Sequence, residues 1–134
     1  MIRISSYKRR SRKAYVCSPL SADSKIQIKR NMENAKKYVA ITEVLLNCKA
    51  VAPHAILPEI LDDNIPAERE LALAFGLDLL SLCDCVVVFG NIISNGMQVE
   101  INKAKELGIN VIYASITTND ISTDIFQRSV ANEQ

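Results

Sequence analysis

In the stretch Ser94-Asn-Gly-Met-Gln-Val-Glu100, a carboxylate stands where an apolar side chain is expected. At about 100° per residue, Met97, Ile101, Ala104, Leu107 and Gly108 form one arc of a helix, and Glu100 falls inside it. Gln98, Asn102, Lys103, Lys105 and Glu106 lie outside. A carboxylate so placed, one turn into its helix, is partly desolvated while the helix N-terminus favours its charge. It can serve as a nucleophile or a general acid/base. It can equally be a structural glutamate that pairs with an arginine or caps a loop. Ser94 or Asn95 can cap the same helix. The free amides at its start, over Ser94, Asn95, Gly96 and Met97, can also hold an anion, and the two roles are compatible. His54 is the single histidine and ends a strand-like segment, as a site residue or a loop histidine. Tyr15 lies inside another strand, where core packing competes with a site role.

These residues need a scaffold, and the pattern of the chain supplies one. Residues 13–18 read as a first strand, broken by Pro19. A helix from about Ser24 to Leu46 follows, with the stripe Ile28, Met32, Ala35, Val39, Thr42 and Leu46, capped by Asp23 or Ser24. Residues 48–54 read as a second strand, and Pro66 suits the first turn of a helix that runs to Ser81. The run CDCVVVFG over 83–90 is β-branched throughout, as in a strand covered on both faces. The Glu100 helix comes next, then Gly108 as its C-cap and a fourth strand over 110–115. Strands alternating with helices predict right-handed βαβ units. The fold class is α/β: a three-layer, flavodoxin-like or Rossmann-like fold with a four- to five-stranded parallel sheet. The tail after residue 115 adds a fifth strand, packs a short helix or reaches a neighbouring subunit. In such a fold ligands bind beyond the carboxyl ends of the strands, where Ser18, His54, the 94–100 stretch and Ser115 are expected to converge.

Composition narrows the function classes. The chain has 134 residues, one domain's worth, at 49% hydrophobic and 23% charged with net charge +1. Neutral balance gives no global reason to bind nucleic acid or membrane. Residues 1–12 form a basic tail, with YKRRSRK over 7–13, and residues 13–134 a single domain. The tail lacks the aromatic interleaving of a nucleic-acid arm. Without an apolar run of about 18 residues or a signal peptide, the expectation is a cytoplasmic protein. The four cysteines form no CxxC and are expected to be reduced and buried. One histidine and no ligand spacing point to no metal, and the absence of a Walker motif or GxGxxG gives no cofactor.

Three stretches in order, Tyr15-Val-Cys-Ser-Pro19, Asp84-Cys-Val-Val-Val88 and Ser94-Asn-Gly-Met-Gln-Val-Glu100, resemble the nucleoside 2-deoxyribosyltransferase family. The resemblance spans roughly residues 13–115. It looks closest to the small bacterial and phage members that carry Ala52-Pro53-His54, Glu68-Arg69 and Gly96-Met97-x-x-Glu100. It implies chemistry at the N-glycosidic bond of nucleosides or nucleotides. Glu100 matches the nucleophile that attacks the anomeric carbon, and Tyr15 the tyrosine that positions it. Six residues before the nucleophile, transferases tend to carry Asp, whereas the nucleoside 5′-phosphate hydrolases carry Ser; here Ser94 stands there, with Ser18 as a further phosphate contact. Both branches place an acid on the preceding helix, eight residues before the strand-opening Asp84, but this chain has Gly76. Arg69 shares that helix face and suits a phosphate, unless it forms a surface ion pair with Glu70, Glu68 or Asp62. Protonation of the leaving base then falls to His54, Glu68 or Asp62. The resemblance implies a homo-oligomer, at least a dimer, whose site is closed by a neighbour's segment after strand four. The competing reading is a non-catalytic protein that binds or sequesters a nucleotide or nucleotide-derived signal.

Overall fold

The computed structural model describes residues 12–20 and 22–115 together with the backbone of 126–128. Five strands form one sheet: β1 (Lys13–Cys17), β2 (Lys49–Val51), β3 (Cys85–Phe89), β4 (Asn110–Ala114) and β5 (Phe126–Arg128). Their order is β2-β1-β3-β4-β5, the flavodoxin-like order. The first four run parallel, and β5 joins β4 antiparallel, so the tail supplies a strand but does not extend the parallel set. The expected basic tail over 1–12 and the donor segment after β4 lie almost wholly outside the described residues.

Three helices connect the strands: α1 (Lys25–Leu46), α2 (Pro66–Leu80) and α3 (Asn95–Glu106). The Ser24 hydroxyl caps α1 by accepting from the Gln27 amide at 3.1 Å, and Asn47 ends it in the left-handed region at φ 50°. Met32, Ala35 and Thr42 of the expected stripe are buried. The second strand is shorter than its apolar run, because Pro53 cannot donate to a ladder and opens a single 3-10 turn over Pro53–Ala55. A second 3-10 turn, Leu57–Glu59, leads to α2.

The sheet divides two cores. On one face α1 packs Ala35, Tyr38 and Val39 over Val16, Val87 and Phe89, with the Tyr38 and Phe89 rings stacked at 4.3 Å. On the other, α2 and α3 place Leu80, Met97, Ile101 and Ala104 against Tyr15, Val86, Val88 and Val111. Because side chains alternate along a strand, β3 feeds both cores at once, which explains its unbroken apolar sequence. Asp84 fixes the register at the far end from the ligand crevice. Its carboxylate accepts from the Lys13 amide at 2.8 Å, and its own amide donates to the Lys13 carbonyl at 2.8 Å. At the crevice end the loops after β1 and β3 meet so closely that a Cβ on Gly90 would lie 3.3 Å from Pro19; Gly90 also holds φ 116°, which only glycine adopts readily.

Candidate functional site

The chain reverses direction across the sheet between β1 and β3, the switch point where open α/β sheets leave a crevice. Two side chains from the flanking elements meet there. Tyr15 is the central residue of β1, and its hydroxyl donates to Glu100 Oε2, one turn into α3, at 2.5 Å. Both are buried, at 1% and 4% exposure. The second oxygen, Glu100 Oε1, is buried and has no hydrogen-bond partner of ordinary geometry among the described residues, although the Cys17 thiol interacts with the carboxylate. No ion pair reaches this carboxylate among the described residues. The arginine partner and the loop cap that would make Glu100 a structural residue are both absent there.

The surroundings keep the neighbours neutral. Burial, then the Glu100 charge, raises the Tyr15 phenol well above its ordinary value. Tyr15 therefore stays protonated across the physiological range and acts as a fixed donor. Burial and then Glu100 likewise raise the Cys17 thiol, which lies within 3.9 Å of the Met97 carbonyl. With Oε2 held by the tyrosine, Oε1 is the less engaged of the two oxygens.

Glu100 and Tyr15 lie against a cavity of about 290 Å³. Ser94, Asn95, Gly96 and Met97 line it from the start of α3, His54 from the 3-10 turn after β2, and Arg69 and Gly76 from α2. Ser94 is the N-cap: its oxygen accepts from the Met97 amide at 3.2 Å, leaving its own O–H to donate to a ligand beside the uncapped first-turn amides. Arg69 forms no ion pair among the described residues. The His54 ring is set by its neighbour. Nδ1 lies 2.9 Å from the Ser18 carbonyl, which can only accept, so Nδ1 carries the hydrogen and Nε2 is left for a ligand.

Other expected residues sit elsewhere. Ser18 is 1% exposed and does not line the cavity; it orients His54 through its carbonyl while its hydroxyl is buried without a partner. Glu68 and Asp62 are joined to each other, the Glu68 carboxylate accepting from the Asp62 amide at 2.6 Å, and they line a neighbouring groove instead. The carboxylate that does line the cavity is Asp63, which the Asp62-Asp63-Asn64 turn signal had concealed. Leu107, expected on the buried arc, is 44% exposed because the helix has ended there. No group of three or more potential metal ligands occurs among the described residues.

Residues 12–114 match a family described only as a domain of unknown function, DUF7768. The chain belongs to this family. Comparison with curated protein sequences finds no match. Among solved structures the chain is similar to a 2-deoxyribosyltransferase from the psychrotolerant bacterium Bacillus psychrosaccharolyticus, with TM-score 0.59 and 17% identity over 84% of this chain and 79% of that one. At that identity the likeness establishes the α/β fold.

Gly76 of this DUF7768 domain has a physical reason to be glycine. It lies inside α2, where glycine costs about 1 kcal/mol relative to alanine. A Cβ there would meet the Tyr15 hydroxyl at 3.0 Å and Glu100 Oε2 at 3.5 Å. The position expected to carry an acid is thus filled by the Tyr15–Glu100 pair itself. Gly76→Ala is expected to leave the helix intact but crowd the Tyr15 hydroxyl against the carboxylate. The hydroxyl has to give by a few tenths of an ångström, which lengthens its bond to Glu100 and is expected to lower any activity of Glu100 severalfold. Circular dichroism together with ligand turnover or binding checks this; an alanine variant with unchanged function would show that the close approach is unimportant.

Proposed function

We propose that this protein, as a small bacterial or phage relative of the nucleoside 2-deoxyribosyltransferases, cleaves or exchanges the N-glycosidic bond of a nucleoside 5′-phosphate or nucleoside. The observation that carries this reading is the buried, unpaired Oε1 of Glu100 beside a cavity, with Oε2 held by Tyr15. In the proposed reaction Oε1 attacks the anomeric carbon, the base departs with the bonding electron pair, and a glycosyl ester forms on Glu100. Water or a second base then attacks the same carbon from the opposite face and releases the carboxylate, so configuration is retained overall. Tyr15 keeps the reacting oxygen aimed throughout. Ser94, the first amides of α3 and Arg69 offer neutral and cationic donors for a 5′-phosphate. His54 and Asp63 are the ionisable groups that can deliver a proton to the leaving base; His54 does so only as the imidazolium, since in the neutral ring its hydrogen is on Nδ1.

Gly76 supports a second reading on the same fold. Without an acid at that position the site holds a nucleotide or nucleotide-derived signal unchanged. A panel of ribo- and deoxyribonucleosides and their 5′-phosphates separates the two when free base is followed by chromatography. The enzyme reading expects release or exchange of base from at least one member, abolished in Glu100→Ala. Tight calorimetric binding without turnover would replace it with the binding reading.

The proposal includes self-association, with the cavity completed by the segment after β4 of a second copy. The outer face of α2 supports this: Leu71 and Phe75 are 58% and 50% exposed on the helix whose Leu73 lines the cavity. Light scattering is expected to give a dimer or larger species at micromolar concentration, and a monomer would contradict this part of the proposal.

A further inference from the structure

The Glu100 cavity adjoins a second space. Leu20, Leu57, Asp63 and Ala72 line it and also line a groove of about 570 Å³ between α1 and the segment 57–65. The inner cavity alone is at the lower end of small-molecule sites, which run from about 300 to 1,000 Å³. The groove beyond the junction is the larger of the two.

Its walls carry three kinds of chemistry. Ile28 and Met32 of α1 face Ile65 and Leu61 across an apolar floor. Lys25 and Lys29 stand one turn apart on α1, and neither forms an ion pair among the described residues. Lys36, further along the helix, lies 3.9 Å from Glu33. The carboxylates of Glu59, Asp62, Asp63 and Glu68 also line the groove, so its cationic part is confined to the α1 lysines. The Asp62–Glu68 contact uses only one oxygen of Glu68, and Asp62 gives one oxygen to the Asn64 amide at 2.9 Å. Each carboxylate thus keeps a second oxygen. A simple polyanion would be repelled by that wall, and a purely apolar guest would leave both rims without use. A nucleotide matches all three: its base packs on the apolar floor, its phosphate meets the lysines, and its ribose hydroxyls donate to carboxylates. Cations line both chambers, Arg69 the inner and Lys25 and Lys29 the outer.

We propose that the ligand is a dinucleotide, two nucleosides joined 5′ to 5′ through a diphosphate, with one glycosidic bond at Glu100 and the other nucleoside in the α1 groove. This rests on the reading of the Glu100 cavity as a nucleoside site. The groove makes the second nucleoside a specificity element: it adds binding without touching the reacting atoms.

Calorimetry on the full chain tests it. Diadenosine diphosphate, diguanosine diphosphate and NAD+ are compared with AMP, ADP, GMP and GDP. At least one dinucleotide is expected to bind about tenfold or more tightly than its matching mononucleotides. Lys25→Glu with Lys29→Glu, two exposed changes outside the inner cavity, should bring that dinucleotide down to the level of its matching mononucleotides in the same variant. Ile28→Trp, which fills the groove, should do the same. Equal affinity for short and long ligands, or variants that weaken both alike, overturns the groove assignment and leaves the Glu100 reading standing. Failure of every nucleotide to bind overturns both.

Discussion

The hydrogen bond from Tyr15 to Glu100 is the contact around which the site is organised. It joins the middle of β1 to the first turn of α3, two elements that lie 85 residues apart. It requires β1 and β3 to be neighbours, so that the helix leaving β3 begins over the strand bearing the tyrosine. The β2-β1-β3-β4 order supplies this. It also requires α2 to come close without a side chain, which Gly76 supplies at a cost in helix propensity. Ser94, which caps α3, fixes where the helix starts and hence the height of Glu100 above the sheet.

The energetic character of Glu100 separates a reactive carboxylate from a structural one. A buried charge normally comes with a cation and a full set of hydrogen bonds, because desolvation costs several kcal/mol. Here one oxygen has a single short bond and the other, beyond the interaction of the Cys17 thiol with the carboxylate, has no partner among the described residues. The arrangement is unfavourable for the resting fold, which is what the proposed nucleophilic role of Glu100 requires. Elsewhere at the crevice end the Ser24 and Ser94 caps are made and the single histidine is anchored by a backbone carbonyl, while the buried Ser18 hydroxyl, like Glu100 Oε1, has no partner among the described residues. Of the unpartnered groups Glu100 alone is a carboxylate, and an unsatisfied carboxylate beside a cavity is the expected mark of a functional site.

Much of the scaffold was legible in the sequence because period and punctuation agree there. The α1 stripe, the Ser24 cap, Pro66 at the first turn of α2 and the all-apolar β3 follow from local rules and appear as read. The anomaly of Glu100 was legible too, as a carboxylate on an apolar arc. The unread features depend on contacts between distant segments. The reason for Gly76 is a hydroxyl 61 residues earlier in the chain. Ser18 looked like a phosphate ligand because it follows a strand, but the Pro53–Ala55 turn packs over it and uses its carbonyl instead. Asp63 was hidden within a turn signal, and α2 lacks a polar face because it borders a cavity on one side and exposes Leu71 and Phe75 on another. The direction of β5 is likewise set by pairing with β4, which no periodicity encodes.

The central claim is that the fold tolerates Glu100 as an unpaired buried carboxylate for the sake of a ligand. Urea unfolding of the wild type and Glu100→Gln at neutral pH tests it most directly. The amide keeps an acceptor for Tyr15 and removes the buried charge. The account predicts that Glu100→Gln is as stable as the wild type or more stable by about 1 kcal/mol. A loss of about 3 kcal/mol or more, as when one partner of a buried ion pair is removed, would contradict it and return Glu100 to a structural role.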